Sequence, residues 1–184
     1  MAAPQRRWAA ELLHVWFHKL RPSQRFGSGP EVDAMLRARF ARDLDALWNR
    51  PAADFLDDPH TALAAVLLFD QIPRNLYRGT PRAFAFDPLA RTISRAALLL
   101  GWDKVLTPEE RQFLAMPLMH SEHISDQLWS LAYFGRLGPR RGWAFAVDHY
   151  RMVARFGRFP HRNKVLGRKS SPAEQRAVAS GFAW

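Results

Sequence analysis

The chain has no cysteine. That excludes disulfides, a thiol nucleophile and thiolate metal sites. No run of about 18 or more apolar residues occurs, so no segment reads as a membrane-crossing helix. Arg6, Arg7, Glu11, His14 and Lys19 interrupt the first twenty residues. A clean apolar stretch before small cleavage residues is therefore missing, and the expectation is a cytoplasmic chain without a secretory leader. No Gly-rich phosphate loop is present, so the residues name no cofactor. No Gly-x-Ser-x-Gly elbow surrounds Ser121, which speaks against a serine nucleophile. Period-two alternation bounded by hairpin turns is absent as well, and strands are not expected.

What is present suffices for an ordinary core. The 184 residues are 48% hydrophobic, which predicts one folded domain over 1–184 rather than a disordered chain. The formal net charge is +10, and a basic surface can gain affinity for phosphates by releasing counterions. Here, however, the basic residues are mostly arginines scattered along the chain, without a block of five like charges. No zinc finger, KH-type loop or aromatic RNP pattern accompanies them, so nucleic acid is not the expected partner.

Helix starts recur. Thr107-Pro108-Glu109-Glu110 and Ser171-Pro172-Ala173-Glu174 are capping boxes with proline at the first helical position. Asp58-Pro59, Asp87-Pro88 and Gly29-Pro30 open further helices, followed by apolar residues at helical spacing. Gly79, Gly101, Gly138 and Gly157 fall where periodic segments end. The pattern predicts helices over 6–20, 31–48, 59–71, 88–100, 108–116, 122–137, 142–156 and 172–180. The fold class is all-α, with short connections that favour antiparallel helix pairs. Trp16, Phe17, Phe40, Trp48, Phe69, Phe84, Trp102, Phe113, Trp129, Phe134 and Trp143 are assigned to the core by spacing.

Two segments share a pattern. Ile72-Pro73-Arg74-Asn75 is followed by Arg78-Gly79, and Phe159-Pro160-His161-Arg162-Asn163 by Gly167-Arg168. Each follows an apolar helical run, and proline is expected to end the helix there. The first segment predicts a polar cluster of Asp70, Gln71, Arg74, Asn75 and Arg78, in which the guanidinium forks hold an anion. The same residues would equally serve as a network locking a helix end. The second predicts Arg162, Asn163 and Arg168 around His161, a proton-transfer candidate. A third cluster is His120-Ser121-Glu122 with Asp126 and Gln127, placed at a break expected from Pro117. Glu122 and Asp126, four apart, are expected on one helix face, where their repulsion calls for Arg74, Arg162 or a metal nearby. His120, Glu122, Asp126 and His161 match no established metal-ligand spacing, so no metal is assigned. His120, Glu122 and His161 are the catalytic candidates.

The run Leu67-Leu68-Phe69-Asp70-Gln71-Ile72-Pro73-Arg74-Asn75, with Arg78-Gly79 and Ala83-Phe84-Ala85, resembles a bacterial family, domain of unknown function 924. So do Met116-Pro117-Leu118-Met119-His120-Ser121-Glu122, Asp126-Gln127, the stretch from Arg155 to Asn163, Leu166-Gly167-Arg168 and the early Trp16-Phe17 pair. The resemblance covers essentially the whole chain. It implies a helical fold similar to tetratricopeptide-repeat proteins and carries no activity with it. His123 departs from the family, which more often has an acidic residue there.

Three functional classes follow. A small-molecule binder or enzyme for an anionic metabolite requires the three clusters to converge on one pocket. An interaction module requires a groove for a peptide. RNA binding requires one continuous basic face. The concentration of Asp, Glu, His, Arg and Asn at helix breaks favours the first.

Overall fold

The computed structural model describes residues 6–26 and 29–182. The outer limits of the expected domain, 1–5 and 183–184, lie outside the described residues. All regular structure among the described residues is helical. In chain order the helices are α1 (Arg7–His14), α2 (Pro22–Phe26), α3 (Pro30–Leu47), α4 (Pro59–Val66), α5 (Ile72–Leu76), α6 (Asp87–Leu99), α7 (Pro108–Met119), α8 (Ile124–Leu137), α9 (Trp143–Phe156) and α10 (Pro172–Ala179).

The starts agree with the sequence. Both capping boxes form, the Thr107 hydroxyl accepting from Glu110 N–H and the Ser171 hydroxyl from Glu174 N–H. Asp58 caps α4 by accepting from the amides of His60 and Thr61. Gly79, Gly101, Gly138 and Gly157 have positive φ. Helix α2 and the short 3-10 turns, such as Pro81–Phe84 and Pro160–Arg162, carry too few residues to show a period and were not expected.

Two prolines do not end their helices. Pro73 was expected to stop the run from Pro59 near Asp70, yet the chain stays helical to Leu76. The reason is a π-helical turn, Leu67–Gln71, in which the Ile72 amide reaches back to the Leu67 carbonyl. That wider turn shifts the hydrogen-bond register just ahead of the ring, so Pro73 becomes an early residue of α5 instead of clashing with an α-helical turn. Pro117 lies inside α7, and the backbone bonding resumes past it with His120 N–H to Met116 O at 2.9 Å.

Helix α4 is the centre of the molecule. Residues 61–73 are all buried, and α4 packs against α1, α6 and α7. A helix apolar on every side is what such a position requires. Helices α6, α7, α8 and α9 pack each on the next, the neighbour relation that short connections impose. That succession is compatible with a tetratricopeptide-like array, while the multiple partners of α4 go beyond nearest-neighbour stacking. One large apolar core joins Trp16, Phe40, Phe69, Phe113 and Phe134. Each such side chain contributes about 1.5–3 kcal/mol by leaving water. A smaller cluster joins Met152, Val153, Phe159 and Ala177 near the C-terminus. Trp48 and Trp143, expected in the core, are exposed; Trp48 follows the last residue of α3 and Trp143 is the first of α9, where fewer neighbours can cover a ring.

Candidate functional site

The π-turn sets the first part of the site. It places Asp70, whose side chain is 1% exposed, opposite the end of α7, where His120 Nδ1 lies 2.8 and 3.0 Å from the two carboxylate oxygens. Gln71 Nε2 also donates to this carboxylate. Arg74, one turn on, reaches Asp70 Oδ1 at 3.3 Å and donates to the Asp70 carbonyl. Burial alone would raise the Asp70 carboxyl, but Arg74 and His120 outweigh it and hold it well below the usual range. Asp70 is therefore ionised, and the Nδ1 that faces it carries the proton and donates.

Asp87, the first residue of α6, links this group to the second segment. Both its oxygens accept from Arg74, at 3.0 and 3.0 Å, and Oδ2 accepts from Arg162 Nη1 at 3.3 Å. Arg162 arrives from the turn Pro160–Arg162. Its guanidinium lies between two rings, with Cζ 4.6 Å from the centroid of Phe84 and 4.6 Å from that of Phe159. The side chain is 8% exposed, and its Nε has no hydrogen-bond partner among the described residues. Burial pushes this guanidinium down to about 10, with Asp87 opposing the shift and Arg74 adding to it.

Histidines complete the surroundings. The rings of His120 and His149 are 6.0 Å apart, and His149 packs edge-on against Phe159 at 5.3 Å. His149 Nδ1 donates to the Phe145 carbonyl at 2.8 Å. Burial, reinforced by His120, lowers His149 to about 3. Burial, reinforced by Arg162, lowers His161 to about 4. Both are neutral near pH 7.

Glu122 flanks the cluster. It precedes α8 and accepts from Phe159 N–H at 2.7 Å and from Arg168 at 2.7 and 2.9 Å. It does not share a helix face with Asp126, as its spacing suggested, because α8 begins at Ile124. Nor do the two carboxylates compete for one cation. Asp126 is fully buried and paired with Arg91 and Arg95 of α6, and it also accepts from Ser121 Oγ at 2.7 Å.

Asp70, Arg74, His120, Glu122, His161 and Arg162, from three distant parts of the chain, are therefore neighbours in one seam. The other candidates lie beside it or elsewhere. Gln71 supports Asp70. Asn75 donates to the Gln71 carbonyl at 3.0 Å. Arg78 turns away to Asp33 on α3, at 3.1 Å. Gln127 donates to the Met119 and Ser121 carbonyls and fixes the α7–α8 connection. Asn163 donates to Ser170 and Glu174. Arg168 holds Glu122. Asp87, Phe84, His149 and the Arg91–Arg95 pair were missed. Asp87 was masked by its Asp-Pro helix-start signal, Phe84 by its assignment to the core, and His149 carried no local motif. Among the described residues, no three His, Asp or Glu side chains are gathered to hold a metal ion. An open cleft of about 540 Å³ lies apart from the seam, between α3 and the end of α5, lined in part by Asp33, Arg37 and Arg78.

Residues 12–181 match the family of bacterial proteins of unknown function DUF924, and the chain belongs to that family. A solved structure of a protein of unknown function from Agrobacterium tumefaciens is similar to it, with 34% identity and a TM-score of 0.89 over 95% of this chain and 98% of that one. No functionally curated protein matches the chain. Among the described residues, no helix is long and apolar enough to cross a membrane.

Proposed function

We propose that this DUF924 member binds a small anion, carrying a carboxylate or phosphate group, at the seam formed by α5, the start of α6, the end of α7 and the turn Pro160–Arg162. The observation that carries this reading is Arg162. Its buried guanidinium makes one hydrogen bond of 3.3 Å, and its Nε makes none among the described residues. Arg25 and Arg168 also leave Nε without a partner among the described residues, yet each of those guanidiniums makes three other hydrogen bonds; Arg162 makes one, and an unmet buried donor costs about 1–3 kcal/mol. Arg74 has Nη1 and Nη2 both engaged and acts as the fixed half of the pair. Two aromatic faces hold the Arg162 plane, an arrangement that presents its edge to a flat anion.

A partner-protein reading would place a peptide in the cleft between α3 and α5. Its cations are already occupied, Arg78 by Asp33 and Arg37 by the Leu76 carbonyl. The seam is therefore the better candidate.

The test is thermal unfolding with inorganic phosphate and with succinate. An anion that binds only the folded chain raises the midpoint with concentration. The rise is expected for the wild type and lost in Arg162→Lys, because lysine cannot offer the forked edge. If neither anion raises the midpoint, or Arg162→Lys responds as the wild type does, the reading fails.

A further inference from the structure

From the pairing of Asp70 with His120 beside the two arginines, we infer that the seam is a hydrolytic site for esters of small anionic acids, with His120 Nε2 as general base. This inference rests on the anion site proposed above. Nδ1 is committed to the buried Asp70 carboxylate at 2.8 Å. An ionised carboxylate on Nδ1 fixes the tautomer, leaving the Nε2 lone pair to accept a proton. Nε2 makes no hydrogen bond among the described residues, and the side chain is 14% exposed. The seam therefore reaches solvent at this ring.

The neighbouring hydroxyl is not available as a nucleophile, since Ser121 Oγ donates to Asp126. The nucleophile is water. Nε2 takes one proton from water as the water oxygen bonds to the ester carbonyl carbon. Arg162 holds the anionic end of the substrate through its free edge. Collapse of the tetrahedral adduct breaks the carbon–oxygen bond to the leaving alcohol, which takes the proton back from His120. Acid, alcohol and neutral imidazole result, so atoms and charges balance. Asp70 is a positioning residue: it touches His120 and not the substrate.

Two measurements test this. Long-range nitrogen–proton NMR on the wild type, with no substitution needed, is expected to show a protonated Nδ1 and a bare Nε2 on neutral His120. A proton on Nε2 would overturn the inference. The second measurement follows hydrolysis of p-nitrophenyl hydrogen succinate, with p-nitrophenyl acetate as the uncharged control. The charged ester should turn over faster than the neutral one. His120→Gln should lower that rate by about 10²–10⁴-fold while keeping the midpoint rise with phosphate. Asp70→Asn should lower kcat more than it changes KM and should move the proton to Nε2. Phosphate binding with no turnover above background, or with wild-type turnover in His120→Gln, sinks the hydrolytic inference and leaves the anion site standing. A wild type whose midpoint is raised by neither phosphate nor succinate overturns both.

Discussion

The segments Pro73-Arg74-Asn75 and Pro160-His161-Arg162-Asn163 differ in backbone and agree in destination. In the first, the chain is helical on both sides of Pro73, and Arg74 projects from α5. In the second, Phe159 is extended, with φ −90° and ψ 109°, and only a short turn follows it. Nevertheless Arg74 and Arg162 meet on the same carboxylate, Asp87, and flank the same Phe84 ring. The asparagines then part. Asn75 serves the backbone of its own helix, whereas Asn163 reaches Glu174 on α10. The difference teaches that like residues can occupy unlike backbones when a third element supplies the meeting point. It also separates two kinds of arginine, one with both terminal nitrogens engaged and one with a single hydrogen bond.

The largest test removes the meeting point. Asp87→Ala leaves the buried Arg162 and the half-buried Arg74 facing each other without their shared carboxylate. Removing one partner of a buried ion network costs about 3–5 kcal/mol, and thermal unfolding should show a marked fall in midpoint. A fall within the range of an exposed substitution would mean that Arg74 and Arg162 are held independently of each other, and the shared destination would be accidental.

Next comes the contrast between the arginines. Arg74→Ala takes one cation from the buried Asp70, which keeps His120 and Gln71, and from the half-buried Asp87, which keeps Arg162, so it should destabilise by roughly 3 kcal/mol. Arg162→Gln leaves Arg74 on Asp87 and should cost about 1–2 kcal/mol. The stability order should therefore be Arg162→Gln above Arg74→Ala in urea unfolding. The reverse order would identify Arg162 as the structural member and remove the ground for an anion site.

A smaller effect concerns acid. His149 and His161, lowered to about 3 and about 4 in the folded chain, take up protons near pH 6.5 when unfolded. The unfolded state thus binds more protons between these limits, and stability falls as pH drops from about 6.5 towards 4. Asp70, Glu122 and Glu174, also held low, add their loss below about pH 4. His149→Asn keeps a donor for the Phe145 carbonyl and should flatten the upper part of this decline. An unchanged slope between pH 6.5 and 4 would show that His149 titrates normally in the folded protein.

Much of this was legible in the sequence because it depended on local rules. Capping boxes at Thr107 and Ser171, Asp58 as a cap and the ends of α3, α6, α8 and α9 all follow from residues within one turn. The convergence of Asp70, Arg74, His120 and Arg162 was visible only as a suspicion, since polar residues at breaks serve equally well as caps. Three things were not legible. The π-turn before Pro73 depends on how α4 is packed on all sides, which no local pattern states. The arginine partners of Asp126 and Glu122 lie 31 to 46 residues away, beyond any spacing rule. Asp87 looked complete as a helix-start residue, so its role as the meeting point of two arginines left no mark in the sequence.

The finest comparison lies at the end of each segment. Gly79 and Gly167 close the two patterns at matching places, with φ of 76° and 65°. A Cβ added at either position would meet nothing within 4 Å, so substitution probes backbone strain alone. An L-residue in this left-handed region costs roughly 1–2 kcal/mol, and Gly79→Ala and Gly167→Ala should each lose about that much. Their consequences should then diverge. Gly167 adjoins Arg168, which holds Glu122 and the Phe159 carbonyl, and Phe159 is one of the two rings around Arg162. Gly79 adjoins Arg78, whose pairing with Asp33 lies outside the seam. Of the two glycine variants, only Gly167→Ala should therefore weaken the response of the midpoint to phosphate. Equal weakening by both would mean that the two segments are coupled through more than Asp87.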